Sequence, residues 1–229
     1  LVGGVSTATP PDFTVTLTGY QVIKFNIDDK AYESASVSYN SLPIMRYAEV
    51  LLNYAEAKAE LGEFSDDIWN KTIKPPRERA GVDGKRPTSA DPYLQQYYGL
   101  SDSDLLEIRR ERAIELLLEG FRYNDLMRWH AGELLNKQWY GIYIPAMDTS
   151  YDLNGDGIND VCVTSGEAGN EPGVTYIILD NSKYSLENGT TGRLLYTVGR
   201  NFEEKRYLRP IPKTALNINP DLGQNYYWR

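Results

Sequence analysis

Between residues 43 and 136 apolar side chains recur every three or four positions, whereas from Gly141 onward that period is gone and Gly, Asn, Asp and Pro punctuate short apolar runs. Such a chain pairs a helical scaffold with hairpins and long loops, a mainly α fold. The first helix is expected from Pro43, with Ile44, Ala48, Leu51, Leu52, Ala55 and Ala59 on its apolar face and Gly62 at its end. A second is expected from an N-cap at Ser65 through Ile68, Trp69 and Ile73, with Pro75 and Pro76 terminating it. Residues 81–100 read as a loop bearing an exposed cluster of Tyr93, Tyr97 and Tyr98. A longer helix capped by Ser101 or Ser103 follows, with a stripe of Leu106, Ala113, Leu117 and Phe121 flanked by Ile114 and Leu118. It ends or bends near Gly120, and a further helical piece runs through Leu126, Trp129 and Leu134.

Outside this block, residues 1–42 are rich in Thr, Ser, Gly and Pro and favour short strands or extended chain, with no helix. Residues 142–144, 161–163, 174–179 and 194–198 read as strands of hairpins. The tail, with Pro210, Pro212 and Pro220, is expected to be extended. The resulting organisation is a helical scaffold over about 43–136, a loop and hairpin excursion over about 138–205, and a tail over 206–229.

Composition removes several classes of function. The single cysteine, Cys162, excludes an internal disulfide and a multi-cysteine zinc site, and the single histidine, His130, leaves carboxylates as the other possible metal ligands. A net charge of -8 has the wrong sign for neutralising phosphates, so nucleic acid is not an expected partner. No apolar run approaches the ~20 residues of a membrane helix. The sequence opens at Leu1 without a charged n-region or apolar h-region and reads as a fragment or processed piece.

The acidic excess is local: residues 138–182 hold seven Asp or Glu and no Lys or Arg. Within them, Asp152, Asn154 and Asp156 stand at positions one, three and five of a potential calcium loop. Gly157 allows the sharp turn, Ile158 offers its carbonyl at position seven, and Asp160 follows at nine. Position twelve is Val163 rather than the bidentate Glu of an EF-hand. The same residues also suit an empty hairpin turn between Tyr151 and Val161. Three carboxylates with no base nearby in sequence would repel one another, which favours a structural Ca2+.

Glu111, Glu115 and Glu119 recur at four-residue spacing among Arg109, Arg110 and Arg112. Two carboxylates can serve a glycosidase as acid and base, but glutamates and arginines at this spacing more often pair along a helix or bridge to another. His130 has no Ser or Cys partner at a suggestive spacing and reads as non-catalytic. Tyrosine is abundant, at 18 against five Phe and four Trp, and amphipathic rings suit sugar stacking or protein interfaces. Tyr97, Tyr98, Trp139, Tyr143 and Tyr151 are individual candidates, although rings of this kind more often belong to ordinary sheets and core edges.

Three stretches resemble the C-terminal part of the SusD/RagB family of nutrient-uptake outer-membrane lipoproteins. Residues 43–64, with Arg77 to Gly81, look like its helix pair related to tetratricopeptide repeats. Residues 108–129 resemble the family hallmark at Glu111, Arg112, Glu115, Glu119, Gly120, Arg122, Asp125, Leu126 and Trp129, and residues 207–225 resemble its C-terminal signature. The resemblance implies a non-enzymatic, cell-surface protein that binds oligosaccharide or polysaccharide and serves a SusC-like TonB-dependent transporter. It also implies membrane attachment only through a lipid anchor absent from this chain. It assigns no catalytic role and no glycan-contacting residue. The alternatives are a fragment of a secreted glycoside hydrolase and a helical-repeat scaffold for protein partners.

Overall fold

The computed structural model describes residues 13, 15–25, 29–32, 36, 38–180 and 182–228. The extended chain expected over residues 1–12 lies outside them. Backbone contacts divide the chain into two compact units, one drawn from Leu1–Leu42 and Lys137–Arg200, the other from Pro43–Asn136 and Asn201–Arg229. No helix is long and apolar enough to cross a membrane among the described residues.

The second unit is helical. Its first helix, α1 (Tyr47–Glu60), starts four residues later than the apolar spacing predicts, and Ile44 is fully exposed before it. Arg46 stands extended at the N-cap, as cap residues do, and its guanidinium reaches Glu115 and Glu119 at 2.6–2.9 Å. Ala48, Leu52 and Ala55 are buried as expected, and Gly62 takes the left-handed conformation that closes the helix.

Helix α2 (Asp66–Thr72) is capped by Ser65, whose Oγ accepts from the Ile68 amide. Pro75 and Pro76 do not end the helical run. They fall in the first turn of a new helix, α3 (Lys74–Arg79), where a missing amide proton costs nothing.

Residues 92–98 are also not a loop. Asp91 accepts from the amides of Tyr93 and Leu94, Pro92 opens the first turn, and Gly99 at φ 66 closes helix α4 (Pro92–Tyr98). Only Leu94 of this helix is buried, so no apolar periodicity announces it.

The apolar stripe expected on the next helix, α5 (Ser103–Glu115), is corrected most sharply. Its cap is Asp102 rather than either serine, and its buried residues are Leu106, Glu107, Ile108, Glu111 and Arg112. Ile114 is 64% exposed, and Leu117 and Leu118 beyond the helix also face outward.

Charge is buried there because it is paired. Arg77 of α3 donates to Glu107 at 2.6 Å and to Glu111 at 2.7 Å. Arg112 forks onto Asp125 of α6 (Phe121–Arg128) with two bonds of 2.9 Å and donates to Asn53 of α1 at 2.7 Å. Leu52, Ala55, Trp69, Ile73, Ile108 and Leu116 fill the apolar space between. The Trp69 indole N–H donates to the Gly84 carbonyl, and the Arg77 guanidinium lies 5.0 Å above the ring.

The tail is not extended throughout. Pro212, with its fixed φ of -55, leads into α7 (Lys213–Ile218), and a 3-10 turn follows at Pro220–Leu222.

The first unit holds two small sheets. Strands β1 (Trp139–Ile144), β6 (Gly192–Tyr196) and β5 (Tyr184–Leu186) form an antiparallel sheet in the order β1-β6-β5. Strands β2 (Ser150–Tyr151), β3 (Val161–Thr164) and β4 (Thr175–Ile178) form the other, with β3 antiparallel to β2 but parallel to β4. Phe13, Ile144, Val161, Val163, Ile177, Leu186 and Leu194 make one core from both sheets. Cys162 is buried in β3, and its burial pushes the thiol pKa up. No strand forms among the described residues before Leu42, but the Leu17 carbonyl accepts from the Ile142 amide along β1. That approach requires Gly141, since a Cβ there would sit 2.4 Å from the Leu17 oxygen.

Two substitutions test this packing. Ala55→Phe should overpack the α1 contact and cost about 1–3 kcal/mol, and an unchanged melting temperature would contradict the burial of that face. Arg77→Ala should cost about 3–5 kcal/mol in urea unfolding, because it takes the cation from buried Glu111 and leaves the neighbouring Glu107 with Arg110 alone. A loss below ~1 kcal/mol would mean that the pair is solvated and marginal.

Candidate functional site

The sheet β1-β6-β5 carries the most organised aromatic surface. Trp139, Tyr196 and Tyr184 stand directly opposite one another across the three strands. Residues paired this way share a face, so the three rings form a row. The Trp139 and Tyr196 rings stack at 6.0 Å with planes 21° apart, and Tyr184 lies 6.0 Å from Tyr196 at 51°.

Local sequence builds the row. A loop through Asn188, Gly189, Thr190 and Thr191, with Gly189 at φ 82 and the Asn188 amide donating to the Thr191 carbonyl, closes the β5–β6 hairpin and sets its register. Leu186 and Leu194 then point into the core, and Tyr184 and Tyr196, two residues along each strand, continue the same face past the core edge. Tyr184 still packs against the core, whereas Trp139 is 56% exposed. The row is therefore anchored on one side and open on the other.

Cations collect around these rings. The Arg200 guanidinium lies 3.8 Å from the Trp139 ring centre, the Lys183 ammonium 4.8 Å from Tyr184, and Arg193 3.8 Å from Tyr140 on the opposite face. Arg193 is also paired with Glu187 at 2.6 Å. Three of the four basic residues in 137–200 thus sit on aromatic rings of one sheet, in a unit otherwise dominated by acids.

The loop read as a calcium site joins β2 to β3, with Tyr151 opposite Val161 at its neck. Asp152 accepts from the amides of Gly155 and Gly157 at 2.7 and 2.8 Å, which holds its carboxyl below the usual aspartate range. Asn154 accepts from Asp156, Asp156 from Ile158, and Asp160 from Leu153. The loop thus satisfies its oxygens internally, and no three His, Cys, Asp or Glu side chains are grouped to hold a metal among the described residues. The donor set has the oxygen chemistry that calcium prefers, and a carboxylate that accepts from a loop amide keeps lone pairs for a cation.

Other singled-out residues have structural duties. The Tyr151 hydroxyl accepts from the Ala146 amide and donates to its carbonyl, and Tyr143 is exposed in β1 opposite Arg193. The Tyr98 hydroxyl accepts from Arg122 at 2.9 Å, and Tyr97 packs edge-on against Tyr98. His130 is exposed, stacked 4.0 Å from Tyr207.

Glu115 pairs with Arg46 and Arg79, Glu119 with Arg46, and Glu111 with Arg77, so all three glutamates bridge to other segments. A groove of about 460 Å³ near α2 and α3 is lined by Asp66, Lys74, Glu78 and Arg86, which are tied to one another or to Asp104.

Sequence reasoning singled out Trp139 alone of the aromatic row. Counting outward from Asn188-Gly189 as a two-residue turn would set Tyr184 opposite Arg193, so the longer loop that brings Tyr184 opposite Tyr196 was not legible in the sequence.

Comparison with known proteins adds three findings. The model of the SusD family matches residues 2–228. A search of curated proteins gives no match. Among solved structures, a SusD-like protein from Bacteroides fragilis NCTC 9343 aligns with a TM-score of 0.55 at 24% identity. The alignment covers 92% of this chain and 31% of that protein, so this chain spans about a third of its length, and at this identity the likeness concerns the fold.

Proposed function

Because this chain belongs to the SusD family, we propose that it forms part of a non-catalytic glycan-binding component of a SusC/SusD-type uptake system. In this reading it captures oligosaccharide at the outer-membrane cell surface for a TonB-dependent transporter. The observation that carries the reading is the open row of Trp139, Tyr196 and Tyr184, fixed by the sheet register and anchored at the core edge. Rings held in place cost little conformational entropy when a sugar packs on them, and many weak contacts suit capture followed by release.

Calorimetry against a panel of neutral oligosaccharides tests this directly. Trp139→Ala should weaken binding of any glycan that the chain recognises by about tenfold or more, or ~1.4 kcal/mol, while Trp139→Phe retains most of it. Unchanged affinity in Trp139→Ala would remove the sheet face as the site. Turnover of polysaccharide by the protein would favour the hydrolase alternative.

A structural calcium ion is part of the same proposal, held by side-chain oxygens of Asp152, Asn154, Asp156 and Asp160 and the carbonyl of Ile158. It would order the acidic excursion that leads into β3. Adding chelator should speed amide exchange across residues 148–163 without unfolding the helices. Exchange that is indifferent to both calcium and chelator would eliminate the ion.

A further inference from the structure

Around Trp129, in the helical unit, guanidinium groups outnumber the carboxylates that answer them. Arg112 is matched by Asp125, and Arg128 by Glu56 and Asp125. Arg109 and Arg122 make no ion pair among the described residues.

Arg109 lies over two rings at once, 4.7 Å from the centre of Trp129 and 5.5 Å from that of Tyr98. Its Nε is buried with no hydrogen-bond partner. Burial draws its pKa down, against the weaker pull of Glu56 and Glu60. Glu56 cannot come to its aid, since its Oε1 already accepts from Arg128 and the Trp129 indole and its Oε2 from Arg128. Arg122 stands over the same two rings, and its Nη1 donates to the Tyr98 hydroxyl at 2.9 Å.

A partly desolvated cation without a counter-ion is unfavourable, and such an orphaned group calls for an explanation. An external anion supplies one. The surroundings narrow its chemistry. Tyr93 is exposed and stacks on Tyr97 at 5.9 Å, and Tyr97 meets Tyr98 edge-on, so a wall of rings runs outward from the guanidinium pair. A net charge of -8 works against docking of an acidic protein surface, whereas a single small anion feels chiefly the local arginines.

We propose that Arg109, Arg122, Tyr98 and Trp129 form a binding site for an acidic sugar, whose carboxylate or sulfate is held by the two guanidiniums while its ring packs toward Tyr97 and Tyr93. The site lies wholly within the helical unit and is independent of the aromatic row on the sheet.

The test uses the Trp139→Ala chain, so that the sheet face contributes nothing, and titrates four probes by calorimetry. These are tetragalacturonate, its fully methyl-esterified form, a neutral tetrasaccharide carrying one sulfate ester, and inorganic sulfate. Tetragalacturonate or the sulfated sugar should bind, and the two distinguish a carboxylate from a sulfate site. The methyl ester should bind at least about tenfold more weakly than the free acid.

Arg109→Gln should reduce anionic-sugar binding about tenfold, and Arg109→Lys, which keeps the charge but loses the planar fork, by less. An unchanged melting temperature identifies the Arg109→Gln effect as local. If that variant is destabilised, Arg109→Lys carries the test. Equal binding of acid and ester, indifference to both substitutions, or no binding of either anionic sugar would overturn the proposal. So would inorganic sulfate binding as tightly as the sugars, or an acidic peptide displacing them at lower concentration.

Discussion

The helical unit depends on arginines that reach across from one segment to carboxylates buried on another. Arg77 sits between Glu107 and Glu111, Arg112 forks onto Asp125, and Arg46 joins Glu115 to Glu119. Ions removed from water are tolerated only when each finds its partner in good geometry, so a slipped helix register would leave several charges stranded at once. Hydrophobic contact alone would allow more freedom. The apolar cluster of Leu52, Ala55, Trp69, Ile73 and Ile108 supplies bulk burial, and the ion pairs restrict which arrangement of helices achieves it.

The sheet unit is held differently. Strand β3 is buried along its whole length, and its valines join residues from both sheets in one apolar core. Polar chemistry is pushed to the periphery, into the loop before β3 and onto the outer end of β1-β6-β5. At that end Tyr184 is gripped by the core while Trp139 stays largely exposed, with Lys183 and Arg200 lying on their rings. Charge recurs here in another form, as cations laid on aromatic faces.

Much of the helical framework was legible. The Ala48–Leu52–Ala55 spacing, the Ser65 cap and the break at Gly120 all correspond to features of the fold. What was missed shares a cause. Helix α4 buries only Leu94, α3 begins on two prolines, and α7 follows one, so none displays an apolar period. On α5 the apolar residues were visible but misleading. Ile114 and Leu117 face outward because Glu107, Glu111 and Arg112 occupy the interior, and hydrophobicity counts place those charges outside. The aromatic row was legible only in part. Trp139 lies more than forty residues from Tyr184 and Tyr196, and no local spacing connects them.

By itself the sequence determined where backbone could become helix, where it had to turn, and which side chains carried rings or charge, since caps, glycines and prolines act within a few residues of themselves. Which carboxylate meets which arginine, and which rings come to lie side by side, was decided by tertiary structure. Those pairings join residues far apart in the chain, and their energies depend on burial and register that no local pattern encodes.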